Sequence, residues 1–144
     1  MAFIKHSGEL TLTQFLGSCL CGKIKYSIDS KPQEFYLCHC QQCRKITGSA
    51  FASNIQLKLA EVKWLSGEEN VKRFDFPGER NFTKVFCSNC GSSLPYINEK
   101  GRALVIPAGS LDHTPEISPK TNIFWEDKAE WLEEGINANK RSGF

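Results

Sequence analysis

The chain has 144 residues, of which 40% are hydrophobic and 24% charged, and its formal net charge is +2. This length fits one domain, and the small net charge gives no electrostatic reason to expect nucleic acid or a membrane surface as a partner. No apolar run approaches the roughly 20 residues of a membrane-spanning helix. Residues 1–10 also lack the apolar stretch of a signal peptide, which predicts a cytoplasmic protein.

Taken in chain order, the sequence predicts a loose arm over residues 1–10, a domain over 11–134 and a C-terminal tail over 135–144. Residues 23–29 alternate strictly between polar and apolar side chains, which is typical of a half-buried strand. Short segments of similar character follow, separated by turn residues. The predicted strands are 14–20, 23–29, 34–38, 49–57, 62–66, 71–76, 81–86, 94–97 and 103–107.

The connections between these segments refine the predicted fold. The segments 71–76 and 81–86 are predicted to pair as a hairpin across a Pro-Gly turn, and residues 44–48 predict a turn or a single helical turn that ends at Gly48. Three prolines exclude a long helix from the last third, where only residues 127–134 are predicted to be helical. The predicted fold class is therefore all-β, a single domain of short antiparallel strands.

Cysteine is the unusual component, with seven residues in a chain predicted to be cytoplasmic. An odd number cannot pair completely within one chain, and a reducing compartment disfavours structural disulfides. The cysteines instead occur at C-x-C and C-x-x-C spacings, which are typical of metal ligands because two thiols so spaced can reach one ion across a tight turn. These spacings predict bound zinc rather than disulfide bonds.

The densest group of thiols lies in the segment CHCQQCR at residues 38–44. Cys38 and Cys40 point to one side of an extended backbone, and Cys43 follows Cys40 at the C-x-x-C spacing. A zinc ion held by three thiolates keeps an exchangeable fourth position, which is typical of catalytic sites. The segment therefore predicts a catalytic zinc ion held by these three cysteines.

The remaining cysteines divide the set most simply into four and three. Cys19 and Cys21 with Cys87 and Cys90 would form a closed structural site that ties distant segments together. Pairing of the late C-x-x-C with the first two cysteines of the dense segment also fits the spacing. A further alternative is that both sites only stabilise the fold and the seventh cysteine is spare. Iron–sulfur ligation fits less well, because neither common ferredoxin spacing occurs.

A zinc ion on three thiolates carries a net negative charge, which makes it a weak Lewis acid for activating water. It remains well suited to a substrate thiol, because a coordinated thiol is deprotonated and the thiolate is the nucleophilic form. The predicted chemistry is therefore carbon–sulfur bond making or breaking. His39 has the opposite parity from its cysteine neighbours and is predicted to face away. Arg44 and Lys45 are candidates for binding a substrate carboxylate or, alternatively, a solvated surface pair.

Four motifs in order resemble those of the glutathione-dependent formaldehyde-activating enzyme family, which also includes centromere protein V. The resemblance runs from about Gly17 to Trp131. The motifs are GSCLCG at 17–22, CHCQQCRK at 38–45, FCSNCGS at 86–92 and AGSLD at 108–112.

This resemblance implies an all-β fold of β-tent type with two zinc ions per chain. It implies a structural ion on Cys19, Cys21, Cys87 and Cys90, and a catalytic ion on Cys38, Cys40 and Cys43. It also implies a carbon–sulfur lyase that joins a thiol, glutathione in the family's namesake reaction, to a small aldehyde, formaldehyde. The expected cofactors and partners are therefore zinc, glutathione or another thiol, and the aldehyde.

The chain departs from the family pattern near its end. Asn122 occupies a position where the family often has histidine, and the segment after Trp131 matches poorly. If either feature completes the substrate pocket, glutathione need not be the thiol. The alternative hypothesis is a zinc-stapled β module that binds a partner and has no catalytic activity, for which centromere protein V is the precedent.

Overall fold

The computed structural model of the chain describes residues 3–6, 10–78, 80, 82–98 and 100–144. Short strands dominate these residues, with two short helices, α1 and α2. In chain order the elements are β1 Phe3–His6, β2 Leu10–Ser18, β3 Lys25–Ser30, β4 Pro32–Cys38, α1 Gln41–Thr47, β5 Ala52–Leu57, β6 Lys63–Ser66, β7 Val71–Asp75, β8 Thr83–Cys87, β9 Ser93–Leu94, β10 Tyr96–Ile97, β11 Leu104–Pro107, β12 Thr121–Ile123 and α2 Leu132–Asn137.

Within the described residues the strands form three sheets. The first has the strand order β1-β2-β3-β6, the second β10-β11-β5-β4-β12, and the third β7-β8-β9. Strand pairs within the sheets are antiparallel, apart from the parallel pair of β12 with β4. The prediction of a single all-β domain of short antiparallel strands is confirmed, with that one parallel addition.

One core cluster draws side chains from all three sheets, which places them around a common interior. The alternation predicted for residues 23–29 holds in part: Ile24, Tyr26 and Ile28 are fully buried and Lys23 and Lys25 are exposed, but Ser27 is also buried. Each fully buried aliphatic or aromatic side chain contributes about 2 kcal/mol through burial. Other fully buried members of the cluster are Phe15, Ile55, Leu57, Leu94, Leu104 and Ile106.

The N-terminal segment needs a correction, because part of the predicted loose arm is a strand. Phe3–His6 form β1 and pair antiparallel with the start of β2, from Phe3 opposite Thr13 to His6 opposite Leu10. The physical reason is that β2 begins at Leu10 rather than at residue 14, so its extended edge offers hydrogen-bond partners to the preceding backbone. Residues 1–2 and 7–9 of the arm lie outside the described residues.

The predicted hairpin of 71–76 with 81–86 is confirmed as β7 and β8, which pair from Val71 opposite Cys87 to Asp75 opposite Thr83. The predicted strand 94–97 instead divides at the buried Pro95. Proline has no N–H to donate to a strand partner. The residues on the two sides of Pro95 therefore pair with different strands. β9 pairs with β8 in the third sheet, and β10 pairs with β11 in the second. This division joins the two sheets.

The C-terminal helix lies slightly later than the prediction of 127–134. Residues Trp125–Asp127 form a short 3₁₀ turn, and α2 runs over Leu132–Asn137, so it includes three residues that were assigned to the tail. Leu132 and Ala129 are buried against Ala50, which anchors this segment beside α1. Among the described helices, neither has the length and apolar character needed to cross a bilayer.

Candidate metal centres and the cavity beside them

The first group of thiols, here called the four-cysteine cluster, comprises Cys19, Cys21, Cys87 and Cys90. Cys19 and Cys21 lie just after β2, Cys87 ends β8, and Cys90 lies in the turn that follows. The four sulfurs all lie within 4.8 Å of one another. The structure therefore brings together the same four residues that the sequence grouped as a closed site.

The spacing of the sulfur atoms fits a tetrahedral metal ion. Zinc–sulfur bonds of about 2.3 Å in a tetrahedron place the ligand sulfurs roughly 3.8 Å apart. The Sγ atoms of Cys19 and Cys21 are 3.5 Å apart, and those of Cys21 and Cys87 are 4.0 Å apart. A disulfide would need about 2 Å, and all seven cysteines are described and free. The donor set fits zinc, and zinc occupancy stays a prediction.

Two glycines shape the turns that carry these thiols. Gly22 and Gly91 have φ values of 80° and 77°, a left-handed conformation in which a side chain would be strained. The N–H of Gly22 donates to the Cys19 carbonyl at 3.0 Å, and that of Gly91 donates to the Cys87 carbonyl at 2.8 Å. Each turn therefore folds its pair of thiols back towards a common point.

The second group, the three-cysteine cluster, comprises Cys38, Cys40 and Cys43, whose sulfurs also lie within 4.8 Å of one another. All three are buried. Cys38 is the last residue of β4, Cys40 precedes α1, and Cys43 lies in the first turn of that helix. The spatial grouping is therefore the four-plus-three division, and the late C-x-x-C does not pair with this cluster.

Helix α1 begins earlier than the predicted turn at 44–48, and the reason lies in the cluster itself. The Cys40 sulfur accepts a hydrogen bond from the Cys43 N–H at 3.3 Å and so caps the helix, a role usually taken by serine, threonine or aspartate. The helix ends at Gly48, as predicted. One hydrogen bond thus starts the helix and sets the separation of two candidate ligands.

Neighbouring thiols shift one another's pKa within the three-cysteine cluster. The hydrogen bond that Cys38 accepts from the Cys43 thiol lowers the pKa of Cys38. The same contact, reinforced by burial, raises the pKa of Cys43 above its usual range. Metal ligation requires thiolates, so an ion bound here would displace the proton that these sulfurs share. The donor set fits a metal ion with three thiolate ligands.

A cavity of about 450 Å³ lies beside the clusters, lined by Cys43 of the three-cysteine cluster and Cys19 of the four-cysteine cluster. The cavity lies where the second and third sheets meet. Its wall includes residues at the start of β5 and β8 and residues on both sides of Pro95. Cys38 and Cys40 are not among its lining residues. Of the three-cysteine cluster, Cys43 is therefore the residue that faces the cavity.

Lys84 was not identified as a candidate from the sequence, yet it lines this cavity together with Ser93, to whose hydroxyl its ammonium group donates. Burial lowers the pKa of Lys84. Side chains alternate between the two faces of a strand, and this alternation is the feature of the sequence that could have identified Lys84. It places Lys84 on the same side of the chain as Phe82, which precedes β8. Phe82 packs against the three-cysteine cluster.

His39 faces away from the cavity, as its parity predicted, because it is buried elsewhere and is not among the lining residues. Its ring packs between Phe51 and Trp125, with ring centroids 5.2 and 5.0 Å away. Its Nε2 lies 2.8 Å from the Asn122 side-chain oxygen, and the His39 N–H donates to the Ile123 carbonyl. Asn122 thus contacts the loop that carries the cluster without reaching the cavity.

Arg44 and Lys45 do not line the cavity that contains Cys43. They border a separate surface depression with Gln41, Ser49 and Trp131. The two hypotheses for Arg44 and Lys45 were binding of a substrate carboxylate and a solvated pair on the surface. Their position favours the solvated pair.

Comparison with known proteins identifies the family of this site. An uncharacterized lyase of Schizosaccharomyces pombe is 26% identical over 92 residues, which are 63% of this chain and 63% of that protein, so the match spans less than two thirds of the relative. The crystal structure of a Rhodobacter sphaeroides protein aligns with a TM-score of 0.58 at 16% identity, over 76% of this chain and 99% of that one, and shows a shared fold. Residues 14–127 match the sequence profile described as glutathione-dependent formaldehyde-activating enzyme. The chain therefore belongs to the glutathione-dependent formaldehyde-activating enzyme family.

Proposed function

We propose that this chain is a zinc-dependent enzyme of the carbon–sulfur lyase type, which joins a thiol to a small aldehyde and catalyses the reverse cleavage. The observation that carries the proposal is the three-cysteine cluster, which presents Cys43 to a cavity of about 450 Å³. Family membership and a relative that is named a lyase support the same class of reaction. The proposed substrates are glutathione or a related thiol and formaldehyde or a related aldehyde.

The proposal includes two zinc ions per chain with separate roles. The four-cysteine cluster would hold a structural ion, because four thiolates complete a tetrahedron. Cys38, Cys40 and Cys43 would hold the catalytic ion, which would supply a Lewis acid that lowers the pKa of a substrate thiol. A buried site of three thiolates carries negative charge, which disfavours water activation and favours thiol chemistry.

The cavity supplies what the reactants need besides the metal. Its volume falls in the range of about 300–1,000 Å³ that is typical of small-molecule sites. The side chains of Phe51 and Phe82 form an apolar part of the wall that limits the access of water. Asn54 and Tyr96 provide polar groups that can orient a polar thiol. Asn122 is outside this lining, so its departure from the family pattern does not change the cavity surface. This supports retaining glutathione as the leading candidate thiol.

Location and partners follow from the same chemistry. Seven free thiols require a reducing compartment to stay available as ligands, which supports the proposal of a cytoplasmic enzyme. The net charge of +2 supports small molecules rather than nucleic acid as partners.

Exchange NMR of glutathione with formaldehyde tests the proposed activity. The zinc-loaded native protein should accelerate exchange between free glutathione and its hydroxymethyl adduct, and Cys40→Ser should not. Serine at position 40 retains an oxygen that can cap α1, so this variant should keep its fold, which circular dichroism would verify. The uncatalysed condensation is itself rapid, so rates must be compared with protein-free buffer. Equal rates for native protein, variant and buffer across several thiols would favour the non-catalytic binding module instead.

A further inference from the structure

Among the described residues that line the cavity, Lys84 is the one Lys or Arg side chain. In β8, Thr83, Val85 and Cys87 are buried on one face, so Lys84 shares the opposite face with Phe82. Phe82 packs against the three-cysteine cluster. Lys84, Phe82 and Cys43 all line the cavity, so the lysine shares this space with the cluster.

Lys84 is half-buried, and a cation in such a position usually has a carboxylate partner. Among the described residues no Asp or Glu forms an ion pair with it. The ammonium group of Lys84 donates a hydrogen bond to the neutral hydroxyl of Ser93. An ammonium group has three N–H donors, so others remain for further acceptors. Asp112, a carboxylate that lines the cavity, accepts a hydrogen bond from Ser18 at 2.6 Å, beside Cys19 and the four-cysteine cluster.

Lys84 and Cys43 both line the cavity. Burial lowers the pKa of Lys84. A partly desolvated ammonium group within electrostatic reach of the cluster stabilises negative charge more strongly than the same group in water. The reacting oxygen of an aldehyde attacked there would develop that charge.

We propose that Lys84 is a catalytic residue that binds the aldehyde oxygen and protonates it as the carbon–sulfur bond forms. This inference rests on the proposed function. The thiolate sulfur donates an electron pair to the carbonyl carbon, the C=O π pair moves onto oxygen, and an Nζ proton passes to that oxygen. The product is a hydroxymethyl thioether, and the neutral amine regains a proton from solvent. The cleavage reaction runs through the same transfers in reverse.

The catalytic role of Lys84 is tested by comparing the native zinc-loaded protein with Lys84→Met and Lys84→Arg. Lys72→Met is the matched control. Lys72 is an exposed lysine on the neighbouring strand β7 and does not line the cavity. Lys84→Met should lower kcat for formaldehyde about tenfold or more, since a single donor to a developing oxyanion is typically worth at least that much. Lys84→Arg should recover part of the loss because it keeps the charge, and Lys72→Met should match the native protein.

Two further readouts separate this role from a structural or thiol-binding one. The loss in Lys84→Met should be the same with glutathione and with 2-mercaptoethanol, a thiol without a carboxylate. Formate, which resembles formaldehyde but carries negative charge on oxygen, should bind the thiol-loaded native protein more tightly than Lys84→Met in calorimetry. Zinc content and thermal stability should be unchanged in the variants.

The outcomes distinguish the two proposals. Native protein that does not exceed buffer would overturn the proposed function itself. Active native protein with equal activity in Lys84→Met would overturn only the role of Lys84. A rise in KM for glutathione with no change for 2-mercaptoethanol would also overturn it, because Lys84 would then bind a carboxylate of the thiol.

Discussion

Replacing Cys87 by serine should leave the chain unable to fold, whereas replacing Cys43 should leave it folded. Cys87 is fully buried and belongs to both the core cluster and the four-cysteine cluster. Structural zinc contributes roughly 10–16 kcal/mol in small zinc-binding peptides, while whole domains are stable by only about 5–15 kcal/mol. Loss of the structural ion should therefore remove most or all of the net stability.

Circular dichroism and the dispersion of amide signals in NMR would measure this effect. Cys43→Ser should keep native spectra with one zinc ion fewer. Ser88→Ala is the matched control, because Ser88 is exposed and lies between Cys87 and Cys90. Equal unfolding of Cys87→Ser and Cys43→Ser would contradict the division into a structural and a catalytic site, and a folded Cys87→Ser would contradict the structural role.

A chelator should remove the two ions in separate steps with different consequences. The first ion to leave should be that of the three-cysteine cluster, because three protein ligands hold less tightly than four and an open position admits the competing ligand. Cys21 is exposed, but exposure of one ligand should matter less than the missing fourth thiolate. The first step should abolish thiol exchange while the fold remains, and the second should unfold the chain.

Zinc release can be followed with a colorimetric indicator while ellipticity is recorded on the same sample. Restoring one equivalent of zinc after the second step should recover the fold before it recovers activity. Loss of fold with the first equivalent released would show that the four-cysteine cluster is the weaker site. Iron with visible absorption in the purified protein would remove the zinc mechanism.

Local sequence patterns predicted the parts of the site that depend on local geometry. C-x-C and C-x-x-C spacings bring thiols together through a single turn, so Cys38, Cys40 and Cys43 converge without help from distant residues. Strand alternation likewise assigned Ile24, Tyr26 and Ile28 to the core. Spacing alone left the partner of the late C-x-x-C open, because that choice depends on which strands pair.

Features that depend on pairing between distant segments escaped prediction. Lys84 alternates with buried residues, but whether its face meets solvent or a cavity depends on how the second and third sheets join at Pro95. The contact of His39 with Asn122 spans 83 positions and has no local signature. The early start of α1 depends on a cysteine serving as its cap, which helix-start preferences do not favour.

X-ray absorption at the zinc edge, with and without a saturating thiol, tests most directly whether the three-cysteine cluster binds substrate sulfur. With one site of four thiolates and one of three, the two-zinc protein should average about 3.5 sulfur ligands per zinc, and glutathione should raise this to about 4. Cys43→Ser, which should keep only the zinc held by four thiolates, should stay at about 4 whether or not glutathione is added. A sulfur number that stays unchanged when glutathione and other thiols are added would contradict thiol binding at this zinc.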